Sequence, residues 1–175
     1  MIKLISFLGN PGKQYELTRH NLPWLLADKL TEGSSLQWRE KFKGLYANFE
    51  YSGSSVYLHK PLTFMNKSGQ SVTAIKSFYK LTCDELLIVH DDVEMKPGDT
   101  GVKFGGGLAG HNGLRSVAAA IGTRDFYRLR IGVGRPDKGS VASFVLKKMT
   151  ANEIDALQPA LNEAVTLIAD LIQTP

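Results

Sequence analysis

Apolar residues recur along this chain with two periods, and the two alternate. Leu4–Leu8 is a short apolar run of strand length, bounded by a Gly-Asn-Pro-Gly turn. Leu22–Leu30 has helical spacing, with Pro23 in its first turn and Gly33 just past its end. Leu45–Tyr51 and Val56–His59 flank a Ser-Gly-Ser run and predict a hairpin. Val72, Ile75 and Tyr79 share a helix face, and Leu86–Val89 and Gly101–Phe104 read as strands. Leu114, Val117, Ala118 and Ile121 line a helix that ends at Gly122, and Leu129–Val133 is a further strand. Thr150 with Glu153 three residues on forms a capping-box pattern before Ile154, Leu157, Leu161, Val165, Ile168 and Leu171. Pro159 interrupts that run, so a kink or two shorter helices are expected.

Strands alternating with helices predict an α/β fold: a single domain over residues 1–175, built on a twisted mixed β-sheet with helices on both faces. Residues 150–175 form its C-terminal helical region. No repeat or Pro/Gly linker divides the 175 residues, and 43% hydrophobic with 22% charged residues is ordinary globular composition. Cys83 is the single cysteine, so no internal disulfide framework is possible. Ile2–Leu8 is too short for a signal peptide, and no apolar run approaches membrane-spanning length, which points to a cytoplasmic protein with no membrane partner. A net charge of +4 is weak evidence for a nucleic-acid partner unless the cations gather on one face.

The candidate chemistry lies at predicted strand ends, where α/β enzymes build their sites. His20 follows the first strand and its turn, and imidazole has the unperturbed pKa suited to a general base. Asn10 beside it can donate and accept hydrogen bonds. His90, Asp91 and Asp92 end the Leu86–Val89 run, and a carboxylate there can orient an imidazole as the acid of a catalytic triad does. Neighbouring strand residues face opposite ways, so only one of the two aspartates can serve His20. Asn66 and Asn112 open predicted helices and are either caps or cleft-facing amides. His and Asp also ligate metals, yet no HExxH or cysteine cluster supports a metal site. The Gly105–Gly107 run lacks the Lys-Ser/Thr of a phosphate-binding loop, so no nucleotide cofactor is expected; a lid or a tight turn suits it better.

Three blocks carry a family resemblance: LGNPGKQYELTRHN at 8–21, KPLTFMNKSGQSV at 60–72 and VHDDVEMKPGDTGVKFGGGLAGHNGLRSV at 89–117. In order and spacing they resemble the bacterial-type peptidyl-tRNA hydrolase family, over a span from Met1 to about Leu146. The resemblance implies a cofactor-free, metal-independent esterase. It would release peptide and tRNA from peptidyl-tRNA dropped by ribosomes, acting as a monomer. It implies His20 as the base that activates water, Asp92 as its partner and Asn10 as a third catalytic group. Tyr15, Met65, Asn66 and Asn112 would bind substrate, with His111 a secondary candidate. Lys103, Arg130 and Lys138 would hold the tRNA, by shape and phosphates instead of sequence. No G-x-S-x-G elbow is present, so no covalent intermediate is expected.

The chain departs from the family pattern at Phe7, at Leu22-Pro23-Trp24 and at Leu108-Ala109. The first is expected to tighten the strand's surroundings, the second to alter the helix start, and the third to stiffen the glycine loop. Ending at Thr174-Pro175, the chain is also expected to carry a reduced terminal element on the tRNA side. Two rival readings predict different behaviour. A metal-dependent hydrolase would lose activity to a chelator, and a non-catalytic RNA-binding module would tolerate loss of His20.

Overall fold

The computed structural model describes residues 1–174, so Pro175 and the expectation attached to it lie outside the described residues. The strands are β1 (Leu4–Phe7), β2 (Arg39–Lys41), β3 (Gly44–Tyr51), β4 (Ser54–Pro61), β5 (Leu86–Asp92), β6 (Thr100–Phe104) and β7 (Tyr127–Gly132). They form one seven-stranded sheet in the order β2-β3-β4-β1-β5-β7-β6. β1 pairs in parallel with β4 and β5, and β5 with β7, while β2–β3, β3–β4 and β6–β7 are antiparallel. The mixed sheet is as predicted. The exposed strand β2, Arg-Glu-Lys, was not, because it has no apolar position to signal it.

The helices are α1 (Leu22–Thr31), α2 (Ser68–Phe78), α3 (Asn112–Ile121), α4 (Val141–Val145), α5 (Ala151–Ala156) and α6 (Gln158–Gln173). The capping box at Thr150 and Glu153 starts α5, and Pro159 lies in the first turn of α6, giving the two shorter helices that its lost N–H requires. Helices cover both faces, and residue parity along the central strands sorts the core in two. Ile5, Phe7, Leu87 and Val89 pack with Leu26 of α1 and with Leu161, Ala164 and Ile168 of α6. Leu4, Leu8, Leu86 and Ile88 pack with Val72 and Ile75 of α2 and with Leu114 and Val117 of α3. The central strands are buried on both sides, which is why they read as continuous apolar runs.

One polar thread crosses the second core. The Ser71 hydroxyl donates to the Phe42 carbonyl at 2.7 Å, so at 2.8 Å from His59 Nε2 its oxygen is the acceptor. His59 therefore carries its proton on Nε2, and its Nδ1 accepts from Ser6 Oγ at 2.9 Å. The thread ties β1, β4 and α2 to the β2–β3 turn. Gly44 makes room for it, since a Cβ there would lie 2.7 Å from His59 Nε2. His59 is thus a buried structural histidine.

Burial pushes the His59 pKa down to about 3. The folded chain keeps this ring neutral, while the unfolded chain protonates it near pH 6.5. Stability from this group is therefore complete above about pH 6.5 and falls as the pH drops towards 3, by about 1.4 kcal/mol per unit. Urea titrations from pH 7 to pH 4 will show a shallower acid loss for His59→Gln than for the parent, although the variant is less stable at pH 7. An unchanged slope would remove His59 as a source of acid lability.

Candidate active site

The site is built where β1 and β5 end, at the carboxyl edge of the parallel strands. β5 keeps its alternation to the end. Leu87 and Val89 face α1, so Asp91 continues on that side and Asp92 turns to the other. His20 occupies the 3-10 turn Arg19–Asn21 that leads into α1, and its Nδ1 lies 2.8 and 2.9 Å from the two Asp91 oxygens. The orienting carboxylate is therefore Asp91, and the expected pairing of His20 with Asp92 is corrected. Asp92 instead accepts the Glu94 amide at 2.8 Å and lies 3.6 Å from Arg130.

Asp91 serves a second imidazole. His111 Nε2 lies 3.0 Å from Asp91 Oδ1, while its Nδ1 accepts from the Gly113 and Leu114 amides at 3.1 and 3.3 Å. Those amides fix the tautomer, because a nitrogen that accepts has no proton and the proton must be on Nε2. His111 is thus the N-cap of α3, which frees the Asn112 amide from the capping role that its position suggested. A Cβ on Gly113 would fall 2.5 Å from Met65 Sδ and 3.0 Å from His111 Cε1, so glycine is required for this close approach.

The carboxylate of Asp91 is only 1% exposed. Burial alone would raise its pKa, but the His20 and His111 imidazoles outweigh burial and hold the carboxyl well below the usual carboxylate range. An ionised Asp91 accepts from His20 Nδ1–H and leaves His20 Nε2 with a lone pair. His90 is a third imidazole, with its ring 5.1 Å from that of His111. Its Nδ1 donates to the Asp91 carbonyl at 2.8 Å, and burial pushes its pKa down to about 3, so it stays neutral.

Asn10 is held by its neighbours. Asn21 accepts from the Asn10 amide and donates to the Asn10 carbonyl, both at 2.9 Å. Asn10 Oδ1 accepts the Met65 amide at 2.7 Å, which assigns the side chain's orientation and leaves its NH2 as a donor. Asn21 was missed from sequence, since a buried asparagine that fixes another's backbone has no local signature. His20 and Asn10 share a cleft of about 450 Å³ with Tyr15, Met65, Asn66, His111 and Asn112. All the substrate-binding candidates are thus brought together. The cleft's apolar wall, Val141, Ala142 and Val145 of α4 with Leu146 just past its end, was not foreseen. Arg19 anchors that wall: it bonds the Phe144 and Lys147 carbonyls at 3.4 and 3.3 Å and pairs with Glu153.

Two of the three basic candidates also come together. Lys103 of β6 and Arg130 of β7 lie on one face of the β6–β7 edge, given the register Gly101↔Arg130 and Lys103↔Arg128. Lys138 is exposed in the loop before α4 and is not joined to them. The glycine loop is tied down by the buried Arg128, which donates to the Gly106 and Gly107 carbonyls. Two of the residues that depart from the family pattern meet, and a third has an unusual backbone. Trp24 Nε1 donates to the Phe7 carbonyl at 3.0 Å, and Ala109 takes the left-handed backbone at φ 48.

The family model described as Peptidyl-tRNA hydrolase matches residues 4–174. A peptidyl-tRNA hydrolase of Treponema pallidum is 48% identical over 99% of this chain and 88% of its own. That of Ruthia magnifica is 44% identical over 98% and 91%. A crystal structure of peptidyl-tRNA hydrolase from Acinetobacter baumannii superposes with a TM-score of 0.91 at 38% identity, covering 98% of this chain and 89% of that one.

The tautomers are directly observable. In ¹⁵N NMR spectra, His20 will show its proton on Nδ1 and His111 on Nε2. Asp91→Asn will disturb both assignments and Asp92→Asn neither. A His20 spectrum that responds to Asp92→Asn alone would restore the pairing first expected.

Proposed function

This chain belongs to the peptidyl-tRNA hydrolase family, and on that premise we propose how it hydrolyses the ester between a peptide and the 3′-terminal ribose of tRNA: His20 Nε2 takes a proton from water while Asp91 holds the ring. The observation that carries this reading is the chain of fixed protons around Asp91. With Nδ1 committed to the carboxylate, only Nε2 can act as base, and it is on the cleft side. As His20 gains a proton, the Asp91 charge stabilises the imidazolium.

The activated oxygen attacks the ester carbonyl, and negative charge grows on the carbonyl oxygen. Asn10 is the donor best prepared to meet it. Its Oδ1 is occupied by the Met65 amide, so its NH2 is already turned before substrate arrives. Asn66 and Asn112 keep both amide functions and suit a peptide backbone, which offers an N–H and a C=O. Lys103 and Arg130 would receive phosphates of the acceptor end, with Asp92 beside Arg130 setting its direction.

His20, Asp91 and His111 bring donor atoms within 4.8 Å of one another, a spacing that would also suit a metal ion. The hydrogen-bond directions favour protons. His111 Nδ1 already accepts two backbone amides, so metal at Nε2 would strip the ring of its last proton. Each group named is supplied by one chain, which supports a monomer acting alone, and no described helix is long and apolar enough to cross a membrane. Cytoplasmic translation is the setting that this substrate implies.

Hydrolysis of N-acetyl-aminoacyl-tRNA tests the reading. Activity will survive EDTA and will fall about 10²–10⁴-fold in His20→Ala. Loss to EDTA that one divalent ion restores would overturn the proton mechanism. Asn10→Asp keeps the acceptor for Met65 and removes the donor, and is expected to lower kcat about 10²–10³-fold with little change in KM. A purely positioning role for Asn10 would instead appear mainly in KM.

A further inference from the structure

Much of the basic excess of this chain lies away from the cleft: within residues 39–80, Lys60 is paired with Asp28 and Lys67 follows Asn66 of the cleft, but Arg39, Lys41, Lys43, Lys76 and Lys80 belong to the β2–β3 hairpin and the end of α2. Residues 39–80 carry seven lysines and arginines against two carboxylates, Glu40 and Glu50, an excess of five where the whole chain has four. The rest, including Lys103, Arg130 and Lys138, is close to neutral. One of the acids is at the far end of β3 from the turn, and the other faces away. Glu50 is bonded to Ser55. Glu40 lies between Arg39 and Lys41 on β2 and so faces the opposite side of the sheet.

Arg39 and Lys41 point to the α2 side, over aromatic rings. The Arg39 guanidinium is 4.7 Å from the Tyr46 centroid, and Lys41 Nζ is 4.0 Å from Phe78 and 5.0 Å from Phe42. Phe42, Phe78 and Tyr79 form a cluster with centroids 5.0 to 5.8 Å apart, and Phe78 at the end of α2 is 57% exposed. Lys43 and Lys80 are exposed beside them. Single exposed aromatics need no explanation. Here a contiguous cluster carries cations on it, and its turn residues Phe42 and Lys43 both hold the left-handed backbone, at φ 60 and 54. That is a two-residue hairpin turn of the kind glycine and asparagine usually fill, and the Ser71 thread holds it in place.

We propose that this patch, on the β2–β3 turn and the end of α2, is a second nucleic-acid surface that binds an unpaired stretch of RNA outside the cleft. Bases stack on Phe78 and Phe42, and Arg39, Lys41 and Lys43 neutralise the adjoining phosphates. Aromatic faces with interleaved cations suit single-stranded nucleotides better than a duplex, whose bases are not available for stacking. The proposal does not depend on which groups perform the hydrolysis.

The test is fluorescence anisotropy with a labelled twelve-nucleotide oligouridylate, using the parent chain, Phe78→Ala, Phe78→Trp and Lys41→Ala. The parent and Phe78→Trp will bind alike, and each alanine variant will bind about tenfold more weakly. Lys41→Ala will also lower the salt slope by about 0.7. Hydrolysis of a short blocked aminoacyl-oligonucleotide will be unchanged in all four. Equal affinity in parent and Phe78→Ala would overturn the proposal. So would displacement of the RNA by polyglutamate at the concentration at which unlabelled RNA displaces it, since the patch would then read charge alone. Binding lost in Lys103→Ala but kept in Lys41→Ala would place the RNA in the cleft and refute the second surface.

Discussion

The structure depends on one buried carboxylate. Asp91 is out of water, and an ionised carboxylate there is costly unless its oxygens are met by donors. Both are met: His20 Nδ1 comes from the turn before α1 and His111 Nε2 from the start of α3. Those helices cover opposite faces of the sheet, so the carboxylate at the end of β5 joins both layers at one point. Removing it would leave two imidazole N–H groups without acceptors, and removing either imidazole would leave a buried charge under-solvated. The residue that orients His20 is thus also one on which the edge of the fold rests.

Tautomers follow outward from that point with no freedom left. Two backbone amides at the start of α3 force His111 to protonate on Nε2, and the Asp91 carbonyl does the same for His90 on Nδ1. The Met65 amide turns Asn10, and Asn21 holds the Asn10 backbone. His111, His90 and Asn10 are therefore each set by backbone already fixed in a strand or a helix start. Such preorganisation lowers a barrier because nothing has to reorient as charge develops.

Much of this was legible in the sequence where physics acts locally. Strand and helix periods gave the elements, Pro159 gave the break between α5 and α6, and the polar residues after β1 and β5 gave the cleft. Three things were not. β2 is three exposed charged residues that are a strand only because β3 pairs with them. The α4 wall is too short for its period to show. The partner of His20 was assigned to Asp92 when it is Asp91, although parity held the answer. Leu87, Val89 and Asp91 share a face, and His20 leads into the helix on that face. Alternation told that only one aspartate could serve; which one required knowing the side of the sheet that α1 covers, and that is a property of topology.

The same distinction explains why charge was a poor guide to the site. A net charge of +4 was weak evidence from the start, and the cleft is organised around a carboxylate and two imidazoles while a cluster of cations lies on the β2–β3 hairpin and the end of α2. In the mechanism proposed above, a cation beside His20 would disfavour the imidazolium that forms as water is deprotonated. Phosphate neutralisation has the opposite need: exposed cations, tolerant of position and sensitive to salt. On the readings proposed above, separating the two would let the acid–base chemistry stay buried and directional while contacts to a polyanion stay on the surface. The +4 total therefore describes the surface and says almost nothing about the centre.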